Sequence, residues 1–366
     1  MSQQAGRQQL SSSGSLTARL PGLKPLLAIG LIALLALLFL LSLAMGSVAI
    51  PLDDVVRILV GQAPAKSVWI NIVVNFRLPQ ALTAILAGSA LGIGGLLMQT
   101  FFRNPLADPY ILGVSSGASL GVALVVLTVG TVTTTLLTGL GLMGDLALAA
   151  AASLGSGLVM VAVLALARRV ASGMTLLILG LLVGYLTSAA VSLLLYFSIP
   201  ERIQAYISWT FGSFSGVTWD QLMVMTPIVS AALVASFLLS KPLNALLLGE
   251  QYAASMGVNL LRTRYAILLT TAVLAGTITA FCGPIGFIGI AIPHLCRGLF
   301  GTSDHRLLVP LTILLGAIVA LVASIIADVP GSTVVLPLNA VTSLIGAPAV
   351  IWVILSRRPL KDSIAS

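Results

Sequence analysis

Long apolar stretches alternate with short polar segments along almost the whole chain. Each stretch is about as long as the roughly 20 residues that an α-helix needs to cross a bilayer. The first runs from about Leu26 to Met45, which is too long for the apolar core of a cleaved signal peptide, so we expect it to stay in the membrane. With it, ten spans are predicted, the others at 79–101, 111–130, 146–167, 174–197, 219–240, 265–282, 284–300, 307–327 and 336–355.

The polar segments divide the chain into a membrane domain and two tails. Residues 1–23 are rich in Ser, Gln and Gly and are predicted to form a disordered cytoplasmic tail. Residues 24–358 form the predicted membrane domain, and residues 359–366 a second cytoplasmic tail. Within the domain, we expect residues 46–76 to form an outside loop with one surface helix, and residues 199–218 to form a short helix at the membrane interface.

The composition excludes a soluble protein. Charged residues make up 8% of the chain and hydrophobic residues 58%, with a mean hydropathy of +1.12. Soluble domains carry about 25% charged residues, so this chain cannot cover its surface with polar groups. We therefore predict an all-α polytopic membrane protein with about ten transmembrane helices.

The net charge of +8 reflects topology rather than affinity for nucleic acid. Only four of the 18 Lys and Arg residues fall on the predicted outside, and the remaining fourteen fall on the cytoplasmic side together with both termini. This asymmetry is the one that the positive-inside rule predicts. No basic run is interleaved with aromatic residues, so nucleic acid is excluded as a partner. The four outside residues are Arg57, Lys66, Arg77 and Arg202.

The most polar internal segment is residues 241–264, here called the coupling segment. It carries Lys241, Glu250, Arg262 and Arg264, which would be costly to bury in hydrocarbon. Its centre, residues 248–258, is typical of a short helix followed by a tight turn that glycine permits. We expect it to project from the basic side of the membrane and to bind a partner protein.

The sequence around each apparent catalytic or cofactor motif excludes the corresponding site. Residues 113–117 match G-x-S-x-G, but that motif needs a preceding strand and a histidine base, and here it begins a membrane span. No Gly-Lys dipeptide occurs, so any ATP would be bound by another polypeptide. Cys282 and Cys296 lie in apolar segments, and the two histidines have no metal-binding spacing with them. We predict no catalytic residue, metal site or cofactor on this chain.

Small residues crowd several spans and predict close helix packing. Glycines recur at spacings near four in the second and third spans, which lets helices approach; they are Gly88, Gly92, Gly94, Gly95, Gly113, Gly117 and Gly121. Residues 84–88 also resemble residues 272–276 in a span of opposite direction. This similarity is a hypothesis for an inverted repeat of the kind found in transporters.

Several longer motifs resemble the permease subunits of type II ABC importers, the FecCD family. They are Arg77-Leu78-Pro79, residues 104–109 with 112–117, residues 248–258, residues 283–289 leading to Pro293 and His294, residues 304–306, and Gly346-Ala347-Pro348. The resemblance covers about residues 26 to 358. It implies the type II importer permease fold, with ten helices per subunit, and makes residues 24–358 a permease domain.

The resemblance also implies partners and a cargo. It implies a second permease subunit (in a homodimer or a heterodimer), a dimer of ABC ATPases that bind ATP and Mg, and a periplasmic substrate-binding protein. The expected cargo is an iron chelate, a ferric siderophore first, with haem or cobalamin as alternatives. The chain would lie in the bacterial inner membrane as a transport subunit without an ATP site of its own.

Residue roles follow from the matched motifs. The residues implied in coupling to the ATPase are Leu248, Gly249, Glu250, Ala253, Ala254 and Gly257, with the alanines allowing close docking. Those implied in a cytoplasmic gate are Asn104, Leu106, Gly173 and Met174. Arg77 matches an arginine that docks the binding protein, and Arg202 is a second candidate. A packing and coupling role is implied near the eighth span for Gly283, Gly286, Phe287, Gly289, Pro293, His294 and Arg297.

Three of these roles have a structural alternative. The coupling segment could be an ordinary solvated helix, and Asn104 could belong to a structural proline turn in place of a gate. Arg77 could contact lipid headgroups in place of a binding protein. The chain also departs from the family pattern at Gln80, Met174, Val335 and Asn339. The departures near the carboxyl end favour a heterodimer, although a homodimer is not excluded.

Two other classes of function fit the sequence less well. A secondary transporter driven by an ion gradient would need ionisable residues in mid-membrane, and Asp328 is the only deep acid. An intramembrane enzyme would need a catalytic group, which the spans do not offer.

Overall fold

The computed structural model describes residues 23–128, 145–170, 173–332 and 334–356. The two predicted tails, the basic residues within them and Ser172 beside the predicted gate lie outside the described residues, apart from Leu23.

Fifteen α-helices make up the described fold, joined by two short helical turns. They are α1 Leu23–Ala44, α2 Leu52–Leu59, α3 Val68–Asn71, α4 Leu78–Phe101, α5 Val114–Thr128, α6 Asp145–Arg169, α7 Gly173–Tyr196, α8 Pro200–Thr210, α9 Trp219–Leu238, α10 Ser240–Leu247, α11 Glu250–Ser255, α12 Leu260–Cys282, α13 Ile288–Phe300, α14 His305–Ala327 and α15 Leu338–Ser356. A π-helical turn, Ile72–Arg77, joins α3 to α4, and a 3₁₀ turn, Pro109–Leu112, precedes α5.

The predicted all-α architecture is confirmed. Each of the ten predicted spans coincides with one of these helices, and the described residues contain no strand. Within the described ranges, seven helical segments are long and apolar enough to cross a bilayer, and two shorter apolar helices fall at α5 and α13. The second span begins earlier than predicted, because α3 and the π-helical turn extend α4 outward to Val68.

Helix α4 forms the centre of the bundle, and glycines set its contacts. It is the most buried of the long helices, and α1 is the least buried. A Cβ atom at Gly88 would lie 2.1 Å from the carbonyl oxygen of Gly316 on α14, and one at Gly95 would lie 1.7 Å from that of Gly289 on α13. Only glycine permits backbones to approach this closely, so the predicted packing role of these two glycines is confirmed.

A second glycine crossing joins α5 to α6. A Cβ atom at Gly121 would lie 2.1 Å from the carbonyl oxygen of Ala151, and one at Gly155 would lie 2.1 Å from that of Gly117. The side chains at this crossing are therefore limited to hydrogen or methyl. The hypothesis of an inverted repeat stays a prediction.

The charged residues separate to two ends of the bundle. At one end, here called the basic end, α4 finishes and α7, α12 and α14 begin around the coupling segment. The basic end carries Arg103, Arg168, Arg169, Lys241, Arg262, Arg264, Arg297 and Arg306. The opposite end carries Arg57, Lys66, Arg77 and Arg202.

Candidate functional site

The coupling segment folds into two short helices that stand between α9 and α12. Helix α10 ends at Leu247, Gly249 turns the chain with φ of 118°, and α11 follows at once. Gly257 then turns the chain again with φ of 83°. Both values favour glycine, because a Cβ atom is strained there. The predicted short helix and glycine turn are confirmed, and α10 adds a second helix before them.

The outer surface of this segment is apolar although it lies beyond the spans. Leu248, Tyr252 and Met256 are 65%, 56% and 50% exposed, and the exposed Glu250 begins α11. Several exposed apolar side chains beside a carboxylate are typical of a surface that a partner protein covers.

The two alanines of the segment differ in their surroundings. Ala254 is exposed, but Ala253 is fully buried in the hydrophobic core of this chain. Ala253 therefore packs against its own chain and is not available for direct contact with a partner, because neighbouring residues of a helix point about 100° apart. The coupling role of both alanines stays a prediction.

A pocket of about 670 Å³ connects the coupling segment to part of the predicted gate. Gly173 and Met174, at the start of α7, line it together with residues 101–103 and the stretch from Leu248 to Tyr252. Arg103 reaches across and donates a hydrogen bond from Nη2 to the carbonyl oxygen of Leu246, at 3.2 Å. Arg103 was not singled out as a site residue, since a lone arginine at a span end has no distinguishing signal in sequence.

The other two predicted gate residues lie outside this pocket. Asn104 Oδ1 accepts a hydrogen bond from the backbone N–H of Leu106 at 3.0 Å, so the amide stabilises a local turn. Leu106 itself is 48% exposed. The structure thus supports a turn-forming role for Asn104, while the gate role of both residues stays a prediction.

The chain after this turn folds back between α4 and α13. Its Pro109 ring is so close to Gly289 that a Cβ atom there would lie 2.5 Å from the proline Cδ. His294 Nε2 lies 2.7 Å from the carbonyl oxygen of Pro105. These contacts hold the loop that contains the predicted gate residues against α13.

The motif around the eighth span has a packing role. Gly283 has φ of 74°, and a Cβ atom there would lie 2.6 Å from the carbonyl oxygen of Trp209. Phe287 adopts a φ of 67°, which is uncommon without glycine, and its Cβ would lie 2.6 Å from one built on Gly346. The backbone N–H of Gly286 donates to Asn339 Oδ1 at 3.1 Å.

Two further residues of this motif lie on α13. Pro293 is inside the helix, and Arg297 donates a hydrogen bond to Gln99 Oε1 on α4 at 2.7 Å. Gln99 also donates to the carbonyl oxygen of Ile290 at 3.2 Å. These two hydrogen bonds of Gln99 attach α13 to the central helix. Asn339, which departs from the family pattern, has its own partner in the backbone N–H of Gly286.

A bridge of polar side chains joins the coupling segment to α14 and α4. Asn244 on α10 donates a hydrogen bond to Asp304 Oδ1 at 2.6 Å and accepts one from the backbone N–H of His305 at 2.9 Å. The His305 ring lies between Asn244 Oδ1, at 2.7 Å from Nδ1, and Thr100 Oγ1, at 2.8 Å from Nε2. Hydrogen bonds from Arg306 N–H and Asn244 hold the pKa of Asp304 below its ordinary value.

At the opposite end, Arg77 is buried rather than presented at the surface. Its Nη1 donates to the carbonyl oxygens of Leu43 and Ala44 at 2.8 and 3.0 Å, and its Nη2 donates to that of Val48. The carbonyl groups of Leu43 and Ala44 end α1, where the helix dipole favours a cation, and Val48 follows in the loop after it. Arg77 itself lies inside the helical segment Val68–Phe101, where the π-helical turn passes into α4.

Arg202 makes a similar contact. Its Nη1 donates to the carbonyl oxygen of Leu127, near the end of α5, at 3.2 Å. Both arginines singled out for docking thus cap helix C-termini of this chain, and their contact with a binding protein stays a prediction.

Asp328 faces the Arg77 guanidinium from just beyond α14. Gln80, a departure from the family pattern, donates to its carboxylate at 2.7 Å and to Ser324 at 3.2 Å. Burial raises the pKa of Asp328, while the Gln80 hydrogen bond and the Arg77 charge act in the other direction. Val335 lines a cavity of about 390 Å³ together with Arg77, Gln80 and Asp328.

Over the described ranges, no group of His, Cys, Asp and Glu is arranged to hold a metal ion.

Comparison with known proteins places this geometry in a family. The model of the FecCD transport family matches residues 34–356. A protein named vitamin B12 import system permease protein BtuC from Klebsiella pneumoniae is 38% identical over 284 residues, which cover 78% of this chain and 82% of the relative. A protein of the same name from Citrobacter koseri is 37% identical, over 78% of this chain and 83% of the relative.

A solved structure agrees with these matches. It shows an inward-facing conformation of a transporter assigned to the metal-chelate type of ABC transporters. The two folds superpose with a TM-score of 0.79 at 29% identity, over 90% of this chain and 99% of the other. The chain is thus a multi-pass permease subunit of the type II ABC importer class, and it belongs to the FecCD transport family.

Proposed function

We propose that this permease imports a large metal chelate, cobalamin first, using ATP that a separate ATPase dimer binds with Mg and hydrolyses. The observation that carries the proposal is the pocket that Gly173 and Met174 of the predicted gate line together with Gly249 and Glu250 of the coupling segment. A partner that pushes on the coupling segment would act directly on the wall of the pathway.

The coupling segment has two attachments through which such a push would travel. Arg103 fastens α10 to the end of the central helix, and Asn244 fastens it to His305 and hence to Thr100. Because a packed bundle moves by shifts of whole helices, a displaced α10 would take α4 and α14 with it.

The choice of cargo rests on the relatives. The sequence motifs placed a ferric siderophore first, but relatives 36–38% identical to this chain are named as vitamin B12 permeases, which favours cobalamin. A ferric siderophore is the second candidate, supported by the likeness to a transporter of the metal-chelate type. Both cargoes are bulky chelates, and a pathway lined by small and aliphatic side chains lets such a chelate move through without binding it tightly.

The remaining parts of the proposal follow from the class of importer. The chain would pair with a second permease, identical or different, and receive its cargo from a periplasmic binding protein. The basic end would face the cytoplasm of a bacterial inner membrane with both termini, as the positive-inside rule predicts. The chain would have no ATP site of its own.

Transport by reconstituted complexes tests this proposal. Proteoliposomes that contain the chain with its ATPase and binding protein should take up labelled cobalamin when ATP is supplied. Uptake should stop with vanadate and survive an uncoupler of ion gradients. Uptake of a ferric siderophore but not of cobalamin would make the siderophore the cargo. Uptake that continues in vanadate and stops with the uncoupler would contradict the ATP-driven mechanism.

A further inference from the structure

An apolar groove of about 410 Å³ opens on the side of the bundle between α6, α9 and α12. Its wall is formed by Gly157, Met160 and Leu164 of α6, Ile228 of α9, and Leu269 and Val273 of α12, with further small residues between them. This volume is within the range of about 300–1,000 Å³ that is usual for ligand sites. The residues lie well inside three predicted spans, so the groove opens at the depth of the hydrocarbon.

The neighbouring face of α6 has no protein cover in the described part of the chain. Leu154 and Leu158 are 70% and 72% exposed, and they flank the groove residues along the helix. In a bilayer, this face and the groove beside it contact lipid chains.

Two of the three helices that line the groove, α6 and α12, carry an arginine on the stripe of groove residues, at the basic end. On α6 the groove residues recur at spacings of three and four up to Leu164, and the next residue four positions on is Arg168. On α12 the stripe continues back from Leu269 to Arg262, seven positions earlier. At a rise of about 1.5 Å per residue, the two arginines lie roughly 6 and 10 Å beyond the apolar wall along their helices.

A side-chain contact joins the ends of these two helices. Arg264 donates hydrogen bonds to the carbonyl oxygens of Val170 and Ala167, at 2.7 and 3.4 Å. This contact places the start of α12 beside the end of α6, at the end of the groove towards which both stripes run. Arg168 and Arg262 are both exposed.

We propose that this groove binds an anionic phospholipid, with an acyl chain between α6, α9 and α12 and the phosphate between Arg168 and Arg262. An acyl chain is the occupant that a dry, lateral groove at hydrocarbon depth fits, and the paired cations on its rim match an anionic headgroup at the membrane surface. The site lies away from the pocket that Gly173, Met174 and the coupling segment line, and it does not depend on which chelate is transported.

Lipid titration of the full-length chain in a mild detergent, followed by native mass spectrometry, tests the proposal. Phosphatidylglycerol should bind saturably and on the order of tenfold more tightly than phosphatidylcholine, because each basic residue near a headgroup adds a modest increment. The double variant R168Q/R262Q should lose this preference. Equal affinity of the two lipids for the unmodified chain would overturn the proposal.

A second variant tests the groove itself. A Cβ atom at Gly157 meets no atom within 4 Å, so Gly157→Leu can fill the groove without disturbing a helix contact. It should reduce the binding of both lipids, while thermal unfolding stays close to that of the unmodified chain. Unchanged lipid binding, or a change of oligomeric state in place of lost lipid, would show that lipid is not the occupant.

Matched controls are available in this chain. Gly30→Leu adds the same side chain on α1, where a Cβ atom also meets nothing within 4 Å, and Arg306→Gln removes an exposed arginine at the basic end of α14. Both should bind phosphatidylglycerol as the unmodified chain does. Glycerol phosphate without acyl chains should not compete; competition would instead indicate a site for small anions and overturn the proposal.

Discussion

The imidazole Nε2 of His305 lies 2.8 Å from the hydroxyl oxygen of Thr100, although the two residues are 205 positions apart. Through Asn244, the same ring reaches the coupling segment at 2.7 Å. The contact therefore connects the surface that a partner would push to the helix at the centre of the bundle.

Loss of the His305 ring should weaken both stability and coupling. We expect His305→Ala to lower the free energy of unfolding by about 1–3 kcal/mol, because it leaves buried polar partners without hydrogen bonds. Transport should fall further than stability alone explains. Thermal unfolding and ATP-driven uptake of the same preparation measure the two effects, with the exposed Ser303→Ala as control. Normal uptake in the His305 variant would contradict the coupling role.

Charge reversal at Glu250 should uncouple the permease from its ATPase. The carboxylate is exposed at the start of α11 and lines the gate pocket, so Glu250→Arg should leave membrane insertion unchanged. Stimulated ATP turnover should fall about tenfold or more, since a reversed charge within an interface is repulsive. The exposed Arg169→Glu, at the same end, is the matched charge reversal and should retain turnover. Full turnover in the Glu250 variant would remove this assignment.

A methyl group at Gly88 should disturb the main crossing of the bundle. Its Cβ atom would lie 2.1 Å from the carbonyl oxygen of Gly316, so α4 and α14 must separate. We expect Gly88→Ala to lower stability by about 1–3 kcal/mol, as overpacking does. Gly30→Ala, where nothing lies within 4 Å, is the control and should be neutral or slightly stabilising. Equal unfolding temperatures of the two variants would show that the crossing is looser than the structure indicates.

Removal of the Arg77 guanidinium separates a structural role from docking. Arg77→Ala leaves the buried carbonyl groups at the end of α1 without their hydrogen-bond donor, so stability should fall by about 1–3 kcal/mol. Arg77→Lys should recover only part of this loss, because an ammonium cannot reproduce the planar fork of donors. Thermal unfolding and binding-protein affinity should be measured together. Weaker binding at unchanged stability would favour direct docking instead.

Much of the fold follows from local sequence. Apolar runs of bilayer length, such as those of α1 and α14, are readable because a helix in hydrocarbon must satisfy its own backbone and can carry few charges. The glycine turns at Gly249 and Gly257 are readable for a related reason, since few other residues adopt positive φ. The placement of the coupling segment outside the spans follows from its four charges.

The roles of individual side chains depended on the tertiary structure. Arg77 looked like a surface arginine, but the end of α1 lies over it, and Ala253 looked like a docking residue, but the short helix turns it inward. Periodicity determines which residues form a helix and which of its faces is apolar. Which helix packs on that face, and hence which distant groups become partners, depends on the packing of the whole bundle. Only the tertiary structure brings Met174 and Glu250 to one pocket and places His305 beside Thr100.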